Sequence, residues 1–300
     1  MTAFDTTSPD ALADRRGYDP AFLGDGAFRV DFPGLGPRTD DLAPVAGVSD
    51  AVLRYQNFSI LQSRSRRLPI LAAVNVDGGR AFDLPRRGRW RLDGRLAPEH
   101  QIGNELYRDN PLDRGHMVRR KDAGWGATRA EAERGEADTF HYTNAAPQHA
   151  DLNQRDWLGL EDYILRAVTT RGLRASVLTG PVLADSDRPL DPRHGADGVA
   201  IPAAFWKVAA VVDDATGRLS ATGYLLAQDD LIDDLVRPGF AFGGYGAYQV
   251  RLSRLSDLSG LDFSALDASD PMAERARFVP DAGIHRVDGP NSLLLGFDAR

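Results

Sequence analysis

Residues 138–164 read DTFHYTNAAPQHADLNQRDWLGLEDYI, and the spacing of the apolar residues changes along this stretch. Phe140 and Tyr142 alternate with polar residues and are followed by small ones. Alternation of this kind is typical of a half-buried strand. The pattern therefore predicts a short strand at 138–148 that leads into a loop.

The second half of the stretch has the periodicity of a helix. Trp157, Leu160 and Ile164 recur at steps of three and four residues, so they form one apolar face. Asp151 or Asn153 occupies the position at which a helix N-cap belongs. A strand, a loop and a helix are thus predicted in direct succession.

The chain on either side of this stretch contains several runs rich in β-forming residues. The runs at 54–62 and 68–76 are joined by the basic turn SRSRR, which predicts a hairpin. Further strands are predicted at 175–183, 204–213 and 219–227. This mixture predicts an α+β fold with helices around one mainly antiparallel central sheet.

The 300 residues divide unevenly by composition. Residues 1–49 are rich in Pro, Gly and Asp, which predicts an extended N-terminal arm that is draped over the domain or partly disordered. Residues 50–300 show no repeat or obvious linker and are expected to form one domain.

Several classes of protein are excluded by composition. The chain contains no cysteine, which excludes disulfides, thiolate metal ligands and a cysteine nucleophile. No apolar run approaches the length of a transmembrane helix, so no membrane partner is expected. The first residues are acidic and lack the apolar core of a secretory signal, which makes the cytoplasm the default location.

Charge is distributed unevenly along the chain. The net charge is −7, but residues 54–121 hold 15 Arg or Lys against 7 Asp or Glu, a surplus of eight positive charges. The asymmetry predicts an electropositive surface on an acidic body. The alternative is a set of solvated strand faces and loops, and charge alone does not decide between them.

A single histidine follows the basic region in DRGH at 113–116. A lone histidine is most often a hydrogen-bonded structural residue, but His116 is followed by Asn153 at the predicted helix start and by Glu161. At about 100° per residue, Asn153 and Glu161 lie roughly 80° apart around the helix and two turns apart along it. The side chains of Asn153 and Glu161 can therefore face the same side of the helix.

This set of side chains suits metal-assisted cleavage of a phosphodiester bond. A histidine with an ordinary pKa near 6.5 is substantially neutral at pH 7 and can act as a general base. Oxygen ligands suit Mg²⁺, which keeps several of its waters. Arginine binds phosphate oxygens in pairs and stabilises growing negative charge.

DRGH, followed by the stretch at 138–164, resembles the DNA/RNA non-specific endonuclease family. The ordered pattern is D-R-G-H, N-x-x-P-Q, L-N-Q, W and L-E, and the resemblance extends over about 50–270. It implies a ββα-metal active site that cleaves DNA and RNA without sugar specificity. It further implies dependence on Mg²⁺, with Mn²⁺ as a substitute, and products with 5′-phosphate and 3′-hydroxyl ends.

The resemblance also implies a role for each matching residue. His116 activates the attacking water, and Arg114 clamps the phosphate. Asn144 helps to hold the active-site loop. Asn153 is the sole direct protein ligand of Mg²⁺, and Glu161 holds the waters bound to the metal.

The basic residues near the motif are assigned to substrate binding. The family has an arginine upstream near a tryptophan, and Arg87 and Arg89 beside Trp90 are equally good matches. The basic residues that follow DRGH are expected to attract the polyanion: Arg119, Arg120 and Lys121. A zinc site at His141 and His149 is disfavoured, because no third ligand follows at motif spacing.

A second function class stays open from the sequence. The chain could be a nuclease-like nucleic-acid-binding subunit whose activity is absent or gated by a partner. DNA and RNA are the expected partners, and an inhibitor, an activating protein and a homodimer are all compatible with the sequence. Because an unregulated nuclease endangers its own cell, export by a non-Sec route is an alternative to the cytoplasm.

Overall fold

The computed structural model describes residues 5–150, 168–169, 172–194, 198–214, 216–228, 246–276 and 284–286. Within them the strands are, in chain order, β1 (Thr6–Thr7), β2 (Val52–Arg54), β3 (Phe58–Gln62), β4 (Pro69–Asp77), β5 (Leu92–Asp93), β6 (Leu112–His116), β7 (Ala145–His149), β8 (Arg174–Pro181), β9 (Arg188–Pro189), β10 (Ala200–Ile201), β11 (Ala204–Val212), β12 (Leu219–Ala227), β13 (Gly246–Val250) and β14 (Ile284–Arg286). The α-helices are α1 (Arg129–Asp138), α2 (Leu252–Ser259) and α3 (Pro271–Ala276).

An eight-stranded sheet forms the centre of the molecule, in the order β14-β13-β12-β11-β8-β4-β3-β2. Every neighbouring pair in it is antiparallel. The hairpin predicted between 54–62 and 68–76 is β3–β4, and β8, β11 and β12 match the later predicted strands closely. The predicted α+β fold with a mainly antiparallel sheet is confirmed.

The central sheet is buried on both faces. Successive side chains of a strand point to opposite sides of a sheet, so neighbouring residues pack into different clusters. Along β4, Leu71 and Ala73 belong to one hydrophobic cluster, whereas Ala72 and Val74 belong to the other. The second cluster also contains Met117 and Val118, which directly follow His116. The sheet is therefore the platform on which the DRGH segment rests.

The described part of the N-terminal arm packs against the domain. β1 pairs with β5, and the buried Tyr18 donates from its hydroxyl to the carbonyl of Val30 at 2.6 Å. Arg15 donates from Nε to the Asp138 carboxylate at 2.6 Å, which ties the arm to the end of α1. The division of the chain into 1–49 and 50–300 stays a prediction.

Both longer helices are delimited by their end residues. At the start of α1, Thr128 Oγ1 accepts from the Glu131 backbone N–H at 3.3 Å, and Glu131 Oε2 accepts from the Ala127 N–H at 2.6 Å. Side chains that satisfy the free N–H groups of a first turn stabilise the helix start. α2 ends at Gly260, whose φ of 70° is readily available only to glycine. Among the described residues, no helix is long and apolar enough to cross a membrane.

A separate two-stranded hairpin, β6–β7, carries the DRGH motif. It is antiparallel, with Arg114 opposite Pro147 and His116 opposite Ala145. A strand does lie within 138–148, but the predicted order of strand then loop is wrong: Tyr142–Asn144 form a single 3₁₀ turn, and β7 begins at the small residues that follow. The helix predicted around Trp157, with Asn153 and Glu161, lies outside the described residues.

Candidate active site

The β6–β7 hairpin places Arg114 and His116 on one face, because they are two residues apart on a strand. Gly115 points to the opposite face, where the side chain of Gln148 covers it. A Cβ at residue 115 would lie 2.0 Å from Gln148 Oε1, so only glycine fits. The glycine of DRGH is therefore required by close packing within the hairpin.

Asn144 fixes the backbone that follows His116. Its Oδ1 accepts from the Val118 N–H, and its Nδ2 donates to the carbonyls of Val118 and Thr139, each at 2.9 Å. Its own carbonyl accepts from the Met117 N–H at 2.9 Å. Because Asn144 is fully buried, these bonds are shielded from water and hold the segment rigidly.

His116 lies in an aromatic surround. Its ring centroid is 4.7 Å from that of Trp90 and 5.1 Å from that of Phe140, which meets it edge-on. Its Nε2 is buried and has no hydrogen-bond partner among the residues that the structure describes, although the residue as a whole keeps partial exposure.

Burial of the His116 ring, helped by the positive charges of Arg86 and Arg120, lowers its pKa to about 3. The imidazole is therefore neutral at physiological pH, with Nε2 available to accept a proton. A buried nitrogen without a partner is unusual in a structural histidine. It is the arrangement expected of a group that meets a substrate.

Arg114 is held in a three-sided aromatic cage. Its guanidinium carbon lies 5.3 Å from the ring centroid of Tyr107 and 6.0 Å from those of Trp90 and Tyr142. Its Nη2 donates to Asn104 Oδ1, whereas its buried Nε has no partner in the described part of the chain. The cage fixes the orientation of the cation and leaves donors unused, so Arg114 can bind an anion.

The structure distinguishes the arginines near Trp90 that the sequence left equivalent. Arg86 lies with its guanidinium carbon 5.9 Å from the centroid of the Phe140 ring, on the side of His116. Arg87 and Arg89 line a cavity beside α1. The structure thus places Arg86 beside His116, a residue that sequence reasoning missed. Its even-numbered spacing from Trp90 was the signal that could have found it.

The three basic residues after the motif have different surroundings. Arg120 Nη1 donates to Glu136 Oε1 at 2.6 Å and to the Leu84 carbonyl at 3.0 Å, so it joins α1 to the segment before Trp90. Arg119 is half-buried, and Lys121 is exposed. Binding of the polyanion by these residues stays a prediction, and the contacts of Arg120 give that residue a structural role in addition.

The contacts of His141 are those of a structural histidine and argue against the zinc alternative. The buried His141 ring donates from Nδ1 to the Asp138 carbonyl at 2.8 Å and accepts at Nε2 from the Thr7 hydroxyl at 2.9 Å. Both ring nitrogens are therefore occupied. Among the described residues, no group of three or more His, Cys, Asp or Glu side chains could hold a metal ion.

A neutral histidine acceptor beside Arg86, with Arg114 two residues earlier on the same face of the strand, forms a site suited to phosphodiester hydrolysis. The chain belongs to the DNA/RNA non-specific endonuclease family, whose model matches residues 43–269. The predicted family resemblance is therefore confirmed.

Relatives of several kinds are similar to the chain. The uncharacterized protein y4fB of Sinorhizobium fredii is 36% identical over 270 residues, which cover 83% of this chain and 39% of that protein. Human mitochondrial endonuclease G is 30% identical over 150 residues, 46% of each chain. A nuclease of Nostoc is 28% identical over 225 residues, 73% of this chain and 76% of that one. The chain thus spans less than half the length of the first two relatives.

A solved structure has the same fold. It is a crystal structure of the EndoG/EndoGI complex, and the match has a TM-score of 0.54 at 22% identity. It covers 72% of this chain and 86% of that chain. At this level of identity the likeness shows the fold alone.

Proposed function

We propose that this chain is a metal-dependent endonuclease that hydrolyses phosphodiester bonds in DNA and RNA without sugar specificity. Membership of the family supports the class of reaction. The observation that carries the proposal is the Nε2 of a neutral His116, which has no hydrogen-bond partner among the described residues, with Arg86 beside the ring and Arg114 against the same Trp90 that packs on it. We infer that His116 acts as the base and that the two arginines bind phosphate.

In the proposed reaction, His116 Nε2 takes a proton from a water as that water forms a bond to phosphorus. The bond between phosphorus and the 3′-oxygen breaks, and the departing oxygen takes a proton from a second water. The products are a 5′-phosphate and a 3′-hydroxyl. Arg114 and Arg86 bind the non-bridging oxygens, whose negative charge grows as the new bond forms.

The metal is assigned on family grounds, because the family is one of metal-dependent nucleases. We propose Mg²⁺, with Mn²⁺ as a substitute, held directly by Asn153 and through water by Glu161. When bound, such an ion neutralises charge on the phosphate and the departing oxygen. His116 Nε2, which has no hydrogen-bond partner among the described residues, fits a site that also binds water and a phosphate.

Regulation by a protein partner is proposed on a different basis. The EndoG structure that shares this fold is a complex that bears on EndoG inhibition. An inhibitor would make a nuclease safe inside its own cell, so an inhibitor is the partner we propose first. A homodimer and a cytoplasmic location stay predictions, and the human relative is mitochondrial.

Cleavage assays test the proposal against the binding-subunit alternative. Purified protein is incubated with supercoiled plasmid and with single-stranded RNA, each with Mg²⁺ and with EDTA. We expect both polymers to be cut with Mg²⁺ only, and we expect ends that can be ligated without prior phosphorylation. Metal-independent cleavage, or binding with no cleavage by a folded protein, would overturn the proposal.

A further inference from the structure

Three backbone segments run side by side next to the proposed active site. β1 of the N-terminal arm is parallel to β5 and pairs with it over two residues. Arg91, directly before β5, forms a parallel bridge with His141. The segment that carries Trp90 and Arg91 therefore lies between the arm on one side and the segment that carries His141 on the other.

Alternate backbone groups of the middle segment bond to its two neighbours. The N–H groups of Leu92 and Gly94 donate to carbonyls of the arm, each at 2.9 Å. The N–H of Arg91 donates in the opposite direction, to the Phe140 carbonyl at 2.9 Å. Because hydrogen bonds on both sides fix the middle segment, its position depends on the arm as well as on the neighbour that carries Phe140.

The arm approaches the middle segment most closely at Gly94. A Cβ at this residue would lie 2.7 Å from the carbonyl oxygen of Thr7, which is closer than Cβ atoms approach other heavy atoms. The three atoms nearest to that Cβ all belong to the arm, and φ of Gly94 does not lie in the left-handed region. Glycine is therefore needed at residue 94 because of the arm and not because of the local backbone.

A side-chain hydrogen bond joins the arm to the third segment. The hydroxyl of Thr7 donates to Nε2 of the buried His141 at 2.9 Å. Nδ1 of the same ring donates to the carbonyl of Asp138 at 2.8 Å. The His141 ring is thus held from both ends, and one of the two ends is the arm.

The residues next to these bonds form the aromatic surround of His116. Trp90 directly precedes Arg91, and its ring centroid lies 4.7 Å from that of His116. Phe140 directly precedes His141, and its ring centroid lies 5.1 Å from that of His116. Both aromatic rings in contact with His116 therefore belong to segments that the arm holds.

We propose that Thr7 is a positioning residue for catalysis, which acts through His141 and β5 on the two aromatic rings that hold His116. The inference rests on the proposed function and deepens it. Thr7 contacts neither the substrate nor the reacting atoms in this proposal. It lies before residue 43, where the family match begins, so the family motif does not assign it a role.

The first test is Thr7→Val, which keeps the shape of the side chain and removes its hydroxyl. We expect kcat for plasmid cleavage with Mg²⁺ to fall roughly tenfold, because misplacement of a catalytic group by about 1 Å can cost as much as about 10²-fold. KM should change less than kcat, because the bound polymer keeps its contacts. Thr7→Ser restores the hydroxyl and should restore kcat.

A second variant disturbs the same contact from the other side. Gly94→Ala leaves the Thr7 hydroxyl in place but forces the arm away from β5, so it should lower kcat in the same way. Two controls should leave kcat unaltered. Thr39→Val removes a hydroxyl bond elsewhere in the arm, to the Gly36 carbonyl at 2.9 Å. Gly79→Ala adds a Cβ whose nearest contact is an ordinary 3.5 Å.

A spectroscopic measurement reports the position of Trp90 without cleavage. The four tryptophans are replaced by 5-fluorotryptophan, and Trp90→Phe identifies the Trp90 signal in the ¹⁹F NMR spectrum. Thr7→Val and Gly94→Ala should shift this signal, whereas Thr39→Val should not. Trp206, which is fully buried in the central sheet, is the internal reference and should stay in place in every variant.

The outcomes separate this inference from the proposed function. If the unaltered protein cuts, and both folded variants keep its kcat and its Trp90 signal, the positioning role is wrong and the nuclease proposal stands. A lowered melting temperature with unaltered kcat well below that temperature would show that Thr7 is only structural, which also overturns the inference. If the unaltered protein never cuts, the nuclease proposal fails, and the Trp90 signal still decides whether Thr7 sets the position of that ring.

Discussion

The ring of Trp90 lies 4.7 Å from that of His116, and the same ring lies 6.0 Å from the guanidinium carbon of Arg114. One side chain therefore touches both of the DRGH residues to which we assign chemistry. Trp90 reaches them from outside the β6–β7 hairpin, so it fixes how the hairpin sits against the preceding segment.

Replacing His116 with alanine should lower kcat by about 10²–10⁴-fold, which is the usual contribution of a general base. Affinity for DNA should change little, because Arg86, Arg114 and the other cations remain. Single-turnover cleavage and anisotropy on the same preparation measure the two effects. Retention of more than roughly a tenth of the rate would exclude His116 as the base.

The lowered pKa of His116 predicts how stability depends on pH. Because the folded pKa, about 3, is below the unfolded value, stability is complete above about pH 6.5 and is lost as pH falls from there towards 3. Burial also lowers the pKa of His141, which acts in the same direction. Between pH 7 and pH 5, His116→Ala should lose on the order of 1 kcal/mol less stability than the unaltered protein, by urea unfolding.

Arg86→Ala should reduce kcat roughly 10²-fold, because it removes a cation that stabilises charge near His116. Arg87→Ala is its matched control, since it removes the same side chain from the other face of the segment. The control should act mainly on KM. Equal losses of kcat in both variants would contradict the assignment of Arg86.

Asn144→Ala should destabilise the protein by roughly 3 kcal/mol or more, because three backbone groups lose a buried partner at a cost of about 1–3 kcal/mol each. Denaturant unfolding measures the loss. Thr143→Ala, at the adjacent buried residue, is the control, because it removes a single hydrogen bond between the hydroxyls of Thr143 and Tyr55. A loss no larger than that of the control would show that the clamp on Val118 contributes little.

Asn153→Ala should raise the Mg²⁺ concentration needed for half-maximal cleavage, with partial rescue at high Mg²⁺. Glu161→Ala should act more mildly, because it is proposed to contact the ion through water. Both expectations rest on the sequence motif. A metal titration that leaves the Asn153→Ala curve unchanged would remove that residue from direct ligation.

Arg120→Ala and Lys121→Ala should have different effects: the first on the stability of the protein, the second on DNA binding. Arg120→Ala breaks a largely buried ion pair with Glu136 and should lower thermal stability. Lys121→Ala removes an exposed charge and should reduce the salt slope of DNA binding by about one, or slightly less, at little cost in stability. Loss of stability in Lys121→Ala and not in Arg120→Ala would reverse the two roles.

The sheet was predictable because its strands are short, nearly continuous apolar runs bounded by turn residues, as in β4 and β11, which is typical of strands buried on both faces. α1 was not, because its apolar residues are all small alanines that leave no detectable stripe. What identifies its start is the reciprocal bonding around Thr128 and Glu131, a weak signal in the sequence alone.

The site was predictable as a motif but not in its surroundings. The choice among Arg86, Arg87 and Arg89 depends on which side of the segment meets Phe140, and the close packing at Gly88 decides that. Likewise, Arg120 forms an ion pair with Glu136, whose position depends on the placement of α1. Such pairings are set by tertiary packing, which local patterns do not report.

The family match begins at residue 43, but the bonds that hold the site together begin earlier. The Thr7 hydroxyl donates a hydrogen bond to Nε2 of His141, and Arg15 forms an ion pair with Asp138. Asp138 is the last residue of α1, the helix beside the cavity that Arg87 and Arg89 line. A protein shortened to the matched region would lose the hydroxyl that binds Nε2 of the buried His141 and the guanidinium that pairs with the nearly buried Asp138. Residues that precede the family match thus supply polar partners to the interior of the matched region.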